Sequence, residues 1–239
     1  MTQRRPTAKE LVHESLAPQM ERLISNYDTQ RRVEVLVDQF LGAQNVAGRA
    51  VLEVGCGLGF FSQRLVTLGG NVLACDLGER LVAETRRRAG CEAVVADALD
   101  LERTFGRDRF DIVVSSECIE HTPNPAMAVE QMLAVVKPGG LLSISTPNVL
   151  WQPVVRAATR LGLRPFDGHE HFSSWPGLRR VVRAGGGTVL QERGLHLFPF
   201  QFGAHTLSRY LDERLHMLRP LMINICLLAR KDSDDAPPR

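Results

Sequence analysis

The stretch from Val51 to Ser62 decides the fold of this chain, and it reads Val-Leu-Glu-Val-Gly-Cys-Gly-Leu-Gly-Phe-Phe-Ser. A short apolar run ends in three glycines at alternate positions, and a helical pattern follows. Because glycine lacks a Cβ, the backbone can turn sharply there and let a ligand lie against it. A parallel strand that ends in such a turn places its ligand at the carboxyl edge of a sheet. The pattern therefore predicts a strand, a ligand-binding turn and a helix, with Glu53 directed toward that edge.

The glycine spacing by itself is ambiguous. Gly55, Gly57 and Gly59 form G-x-G-x-G, which is one residue shorter than the dinucleotide fingerprint G-x-G-x-x-G. Glu53, two residues before the first glycine, suits a cationic, amine-bearing ligand better than a pyrophosphate. An ordinary strand-to-helix turn is the competing interpretation.

Composition restricts the class of protein. A chain of 239 residues is long enough for one α/β domain. Its formal net charge of +2 argues against nucleic-acid binding, which usually needs a basic face. The polar start predicts no secretory signal, and no apolar run is long enough to span a bilayer, so we expect a cytoplasmic protein. The cysteines have no metal-binding spacing and are expected as free thiols, mostly buried: Cys56, Cys75, Cys91, Cys118 and Cys226.

Strands and helices alternate from Ala50 to Ser145, which predicts parallel strands with helical crossovers. The predicted strands one to five are Ala50–Val54, Asn71–Cys75, Ala93–Ala96, Phe110–Val114 and Leu141–Ser145. Helices are predicted over Glu79–Ala89, between strands two and three, and over Trp175–Ala184, after strand five. We expect an N-terminal helical cap over residues 1–47, an α/β domain over residues 48–231 and a disordered tail over residues 232–239. Within the domain, residues 148–186 interrupt the alternation and predict a helical insertion after strand five. Residues 149–163 of this insertion look like one amphipathic helix.

Acidic residues follow the next two predicted strands. Asp76 closes strand two, where an acid in a nucleotide-binding sheet accepts both ribose hydroxyls. Asp97 closes strand three and can accept from an adenine amino group, while Ala98 can donate its backbone N–H to the ring. Aspartates at strand ends also cap helices. Three acids that end three successive strands beside a glycine turn favour a nucleoside with a cationic arm.

With these motifs, the chain resembles the class I S-adenosylmethionine-dependent methyltransferases. The resemblance also rests on residues 110–116 and on residues 133–140 before strand five. It implies a Rossmann-like α/β fold: a seven-stranded, mostly parallel sheet with the last strand antiparallel, flanked by helices, in which residues 148–186 cover the methyl acceptor. The cofactor implied is S-adenosyl-L-methionine, and the residues implied to bind it are Glu53, Gly55, Cys56, Gly57, Gly59, Asp76, Leu77, Asp97, Ala98 and Ser115.

A narrower resemblance is to the ubiquinone-biosynthesis O-methyltransferases, in the methyltransferase type 11 group. It rests on residues 117–125, 145–148, 168–171 and 194–196. It implies that Arg32 pairs with the cofactor carboxylate and that Glu117, Glu120 and His121 hold magnesium. The pattern departs from that group after Phe200, so the quinone-precursor substrate is not carried over.

His121 is the best candidate for a general base, because it follows strand four and histidine titrates near neutral pH. A structural hydrogen bond at the start of the next helix is the alternative. On a helical turn, Glu117, Glu120 and His121 would share a face and could hold a divalent cation such as Mg²⁺. Glu117 and His171 are further catalytic candidates, and His171 belongs to the segment expected to cover the acceptor.

We therefore expect O-methylation of a small-molecule hydroxyl, in quinone or specialised-metabolite biosynthesis. The alternatives are N-methylation of an amino sugar or other small amine, and, more remotely, a protein that binds the cofactor without methyl transfer. The expected partner is a small-molecule acceptor and not a nucleic acid. A homodimer stays open, as does peripheral membrane contact through residues 149–163.

Overall fold

The computed structural model describes residues 26–161, 170–198 and 203–233. The strands are β1 Ala50–Val54, β2 Asn71–Asp76, β3 Glu92–Val95, β4 Phe110–Ser116, β5 Val136–Pro147, β6 Gly187–Leu195 and β7 Asn224–Lys231. The α-helices are α1 Asn26–Val33, α2 Ala43–Val46, α3 Phe60–Thr67, α4 Glu79–Ala89, α5 Leu101–Phe105, α6 Pro125–Val135, α7 Gln152–Arg160, α8 Trp175–Ala184 and α9 His205–Arg214. A π-helical segment, Glu34–Gln39, continues α1, and 3-10 turns lie at Ile119–His121, Val149–Trp151 and His216–Leu221.

The strands of the described chain form one seven-stranded sheet in the order β3-β2-β1-β4-β5-β7-β6. β7 runs antiparallel to both β5 and β6, whereas the pairs from β3 to β5 are parallel. This confirms the predicted α/β class and the antiparallel last strand. The strand order reverses between β1 and β4, and ligands bind at the carboxyl edge beside such a reversal.

Alternating side chains give the sheet an apolar layer on each face. Leu52 and Val113 belong to the cluster that includes Met132 of α6 and Leu178 of α8. Their neighbours along the strands, such as Val51, belong to the opposite cluster, with the π-helical segment and α3. Successive strand residues point to opposite faces, so near-continuous apolar strands fill both layers. The sheet is thus packed on both faces, and the loops at its carboxyl edge are built on this core.

Several predicted elements have the predicted bounds, among them β1, α4 and α8. Others were wrong in detail. Asp97 does not close a strand, because β3 ends at Val95 and Asp97 lies in the loop that follows. The expected single helix over residues 149–163 is a 3-10 turn followed by α7, and residues 162 and 163 lie outside the described residues.

The predicted domain limits stay a prediction. Residues 26–46 are largely helical, while residues 1–25 of the expected cap and residues 234–239 of the expected tail lie outside the described part of the chain. Across the described ranges, no helix combines the length and apolarity needed to cross a membrane.

Candidate functional site

The loop between β1 and α3 depends on glycine. Gly55, Gly57 and Gly59 have φ angles of 75°, 51° and 80°. A Cβ on Gly59 would lie 2.9 Å from the Thr85 Cα, and one on Gly55 would lie 2.6 Å from the Cys118 Sγ. Left-handed backbone and close approach both exclude larger residues here. The loop therefore packs tightly against the protein on one side and presents backbone at the carboxyl edge of the sheet on the other.

Glu53 lies just before this loop and is only 3% exposed. Its Oε2 atom accepts a hydrogen bond from the Ser62 hydroxyl. Burial raises the pKa of Glu53 to about 8, the Ser62 hydrogen bond opposes that rise, and the negative charge of Asp76 adds to it. Because a cation beside Glu53 would favour its ionised form, the position suits an amine-bearing ligand.

Asp76 ends β2 directly beside the glycine loop. Its Oδ2 accepts from the Gly57 backbone N–H at 3.0 Å, and its Oδ1 accepts from the Gly78 N–H at 3.1 Å. Leu77, between these contacts, belongs to the same turn. The hydrogen bonds fix the carboxylate at the edge of the sheet, where a ligand hydroxyl could reach it.

Asp97 and Ala98 lie in the loop after β3. Asp97 Oδ1 accepts from the Leu99 N–H at 2.9 Å, which is the geometry of a local turn. Ala98 is buried in the core. Although Asp97 does not end its strand, parallel pairing of β2 and β3 places its loop at the same edge as Asp76.

The thiols around the glycine loop are not poised as nucleophiles. Burial raises the pKa of Cys56 and of Cys118, and nearby carboxylates raise both further. A thiol with a raised pKa is protonated and inert at neutral pH. Cys56 therefore has a packing role in the loop, and Cys118 beside His121 is not a catalytic thiol.

The two serines at the end of β4 point to different partners. The Ser115 hydroxyl donates to the Val54 carbonyl at 3.0 Å and is fully buried, so it ties β4 to β1. Ser116, which the sequence did not single out, accepts from Arg32 Nη1 at 2.6 Å and lies 2.9 Å from the Ser145 hydroxyl. Ser116 is thus the serine that contributes to the polar edge of the sheet.

Arg32 reaches this edge from α1. Its Nε and Nη2 atoms donate to Asp28 Oδ2 at 3.2 and 2.9 Å, and its Nη1 donates to Ser116. The residue is only 9% exposed. Asp28 and Arg32 are four residues apart on one helix, a spacing typical of ion pairs, so this pattern could have revealed Asp28 in the sequence.

Glu117 and Glu120 form an acidic pair beyond β4. Burial raises the pKa of Glu117, and the positive charge of Arg32 opposes that rise. Burial, followed by the charge of Glu117, raises the pKa of Glu120 well above its usual value. The Ser145 hydroxyl donates to Glu117 Oε1 at 3.0 Å, and the Thr146 hydroxyl donates to Glu120 Oε2 at 3.3 Å.

The predicted metal site is not formed. Glu117 has a left-handed φ of 51°, and a 3-10 turn follows it, so Glu117, Glu120 and His121 do not share the face of an α-helical turn. Glu120 points inward with 1% exposure, whereas the His121 side chain is 32% exposed. Within the residues that the structure describes, no three His, Cys, Asp or Glu side chains are arranged to hold a metal ion. These residues do not fit magnesium.

The two histidines that the sequence predicts as catalytic candidates both lie near Glu120. His121 Nε2 is 3.9 Å from Glu120 Oε1, and the His171 backbone N–H donates to the Glu120 carbonyl at 2.8 Å. The His171 side chain is exposed. Residues 170–174, which precede α8, therefore contact the turn that bears His121. His169 lies outside the described residues.

Comparison with known proteins identifies the family. A methyltransferase domain family matches residues 52–144. The ubiquinone biosynthesis O-methyltransferase of Coxiella burnetii is 31% identical over 163 residues, which cover 64% of this chain and 70% of that protein. The chain belongs to the class I S-adenosylmethionine-dependent methyltransferases. The ubiquinone biosynthesis O-methyltransferase of Shewanella pealeana is 31% identical over 143 residues, which cover 56% of this chain and 60% of that protein.

The methyltransferase fold extends beyond the matched domain. The magnesium protoporphyrin IX methyltransferase of Synechocystis PCC 6803, solved with bound SAH, superposes with a TM-score of 0.68 at 15% identity and covers 94% of this chain and 100% of its own. At that identity the likeness concerns the fold alone. The match spans 60% of the length of the Shewanella pealeana protein, so the name of that relative does not assign a substrate or a partner to this chain. Arg32 and His171 both lie outside the matched methyltransferase domain.

Proposed function

We propose that this protein transfers a methyl group from S-adenosyl-L-methionine to a hydroxyl of a small-molecule acceptor. The observation that carries the proposal is the carboxyl edge of the sheet, where Asp76 is held beside the glycine loop by the Gly57 and Gly78 N–H groups. Family membership supports it. The cofactor, when bound, supplies an electrophilic methyl group on a sulfonium.

The chain's own residues suit distinct parts of that cofactor. Asp76 would accept the ribose hydroxyls, and Asp97 with the Ala98 N–H would contact the adenine. Glu53 would face the amino group, and Arg32 would pair with the carboxylate. A charge-assisted arginine–carboxylate pair is among the stronger polar contacts in proteins.

The acceptor would lie beyond β4 and β5, between the acidic pair, Glu117 and Glu120, and residues 170–174. His121 is partly exposed at this place and would take the proton of the acceptor hydroxyl. The hydroxyl oxygen then bonds to the methyl carbon while the electron pair of the broken C–S bond stays on sulfur. Two relatives are named for ubiquinone biosynthesis, which supports a hydroxyl acceptor in quinone or related biosynthesis.

The test uses labelled S-adenosyl-L-methionine with two panels of acceptors, phenols and small amines. We expect transfer to a phenol, and we expect His121→Gln to lower kcat about 100-fold or more while the affinity for S-adenosylhomocysteine (SAH) is unchanged. His216→Gln is the matched control, because His216 is an exposed histidine on a separate 3-10 turn. Equal activity of His121→Gln and the wild type would refute the base.

N-methylation of a small amine is the second candidate, and the acidic pair favours it. Glu117 and Glu120 lie together beyond β4, where a cationic amine would offset the burial that raises their pKa values. Once ionised, one of these carboxylates would take the ammonium proton, so that the nitrogen lone pair bonds to the methyl carbon as the C–S bond breaks. Transfer to amines alone, with little effect of His121→Gln, would support this candidate. Binding of SAH without transfer to either panel would instead indicate a protein that binds the cofactor without methyl transfer.

We further propose a cytoplasmic location, a homodimer and peripheral membrane contact. The first two are tested by fractionation and by the molar mass in solution. The third is tested by co-sedimentation with anionic vesicles.

A further inference from the structure

A buried series of polar contacts lies behind Arg32. Asp28 binds Arg32 through Oδ2, and its other oxygen, Oδ1, lies 2.9 Å from His196 Nε2. His196 directly follows β6 and has no exposed surface. Asp212 of α9 accepts the backbone N–H groups of His196 at 3.1 Å and of Leu197 at 2.9 Å. The contacts thus connect α9, the end of β6 and α1, and they end at the guanidinium.

The backbone at His196 is unfavourable for its residue type. Its φ of 64° lies in the left-handed region, where a non-glycine residue costs of the order of 1–3 kcal/mol. The two hydrogen bonds to Asp212 hold this turn in place. A buried, strained residue persists only when its surroundings fix it. Here the turn places the imidazole directly against Asp28.

Arg32 lies between opposing groups of negative charge. Asp28 belongs to α1, whereas Glu117, beyond β4, accepts from the Ser145 hydroxyl, which lies 2.9 Å from the hydroxyl of Ser116. Burial lowers the pKa of Arg32, but the charges of Asp28, Glu117 and Glu120, in that order, raise it well above its usual value. If Asp28 were neutral, the remaining attraction would draw the guanidinium toward Glu117. The position of Arg32 therefore depends on Asp28.

We propose that Asp28 and His196 are positioning residues, which hold Arg32 at the end of β4 to receive the carboxylate of the methionyl group. The inference rests on the proposed function. His196 orients Asp28, Asp28 orients Arg32 through two hydrogen bonds, and Ser116 fixes the far side of the guanidinium. The N-terminal helix, outside the matched domain, thereby becomes part of cofactor recognition.

Two ligands separate this role from a general effect on structure. SAH carries the amino-acid carboxylate, and 5′-methylthioadenosine has the same nucleoside without it. We expect Asp28→Asn to weaken SAH binding about tenfold or more, which corresponds to 1.4 kcal/mol. Its affinity for 5′-methylthioadenosine should stay at the wild-type value. His196→Asn tolerates the left-handed backbone and should weaken SAH selectively by a smaller factor.

The control is Asp38→Asn. Asp38 pairs with Arg64 at 2.8 Å in the same N-terminal region, and it has no contact with Arg32 among the described residues. Calorimetric titration of both ligands should give wild-type affinities for this variant. In an Arg32→Met background, Asp28→Asn should cause no further loss of SAH affinity, because the group that it positions is absent.

Three results would overturn the inference. Equal weakening of SAH and 5′-methylthioadenosine would mean that Asp28 and His196 only support the fold. Unchanged SAH affinity in a folded Asp28→Asn would mean that Arg32 needs no positioning. If Asp28→Asn does not fold, unchanged SAH affinity in His196→Asn would overturn the inference in the same way. Wild-type protein that binds neither ligand would reject the proposed function, and the positioning role with it.

Discussion

Replacing Glu53 with glutamine should stabilise the protein, and the effect should depend on pH. Burial raises the pKa of Glu53 from 4.5 to about 8. Between these values the unfolded chain has lost the proton that the folded protein keeps, so stability falls as pH rises through this window. Each pH unit above 4.5 lowers the free energy of unfolding by about 1.36 kcal/mol, so the loss at pH 7 is about 3 kcal/mol.

Glutamine has nearly the shape of glutamate, can still accept from the Ser62 hydroxyl and cannot ionise. Urea unfolding should therefore give Glu53→Gln a free energy of unfolding that exceeds the wild-type value by up to about 3 kcal/mol at pH 7. Below pH 4.5 the advantage should disappear. Glu92→Gln is the control, because Glu92 is exposed at the start of β3. If wild type and Glu53→Gln lost stability in parallel from pH 5 to pH 8, the reasoning would be refuted.

The same substitution should weaken the cofactor site. An ionised Glu53 can face the amino group of the ligand, whereas a neutral glutamine lacks the charge. We expect Glu53→Gln to bind SAH about tenfold more weakly at pH 8, since a hydrogen bond to a charged group contributes about 1.5–3 kcal/mol. A residue that reduces stability and improves binding is typical of a functional site.

Three further predictions concern the loop, the serines and metal dependence. Gly59→Ala should lower the free energy of unfolding more than Gly90→Ala. Both glycines have positive φ, but only the new methyl group at position 59 would collide with Thr85. Thermal unfolding measures the difference, and equal losses of stability in the two variants would contradict the prediction. Ser116→Ala should weaken SAH binding, because it removes a partner of Arg32. Ser115→Ala should lower the melting temperature without changing SAH affinity, because Ser115 ties β4 to β1. The opposite pattern in calorimetry would show that Ser115, and not Ser116, contributes to the cofactor site. A chelator should leave methyl transfer unchanged, and activity restored only by added Mg²⁺ would show that the acidic pair binds a metal.

The regular parts of the fold were predictable because their local signals agree. The run before Gly55 is apolar and short, Gly90 ends α4 in a left-handed conformation, and Ser174 caps α8 through the Gly177 N–H. Each element is marked by its own sequence, which is why β1, α4 and α8 have the predicted bounds. The glycine loop and Asp76 follow from the same signals.

The acceptor side was less predictable, because tertiary contacts decide it. The Glu117–His121 segment has helical spacing, yet the left-handed Glu117 and the 3-10 turn separate its side chains. Ser115 and Ser116 differ only in strand phase. The contact of His196 with Asp28 joins residues 168 positions apart, and no local pattern encodes it. Such pairs depend on how the sheet brings distant segments together.

Calorimetric titration of the wild type and of Asp76→Asn with SAH tests the central claim most directly, since Asp76 is the acid that the glycine loop holds at the edge of the sheet. The account predicts one site per chain in the wild type and an affinity at least tenfold weaker in a folded Asp76→Asn, as expected for the loss of a charge-assisted hydrogen bond of about 1.5–3 kcal/mol. No heat of binding in the wild type, or equal affinity in the variant, would contradict it.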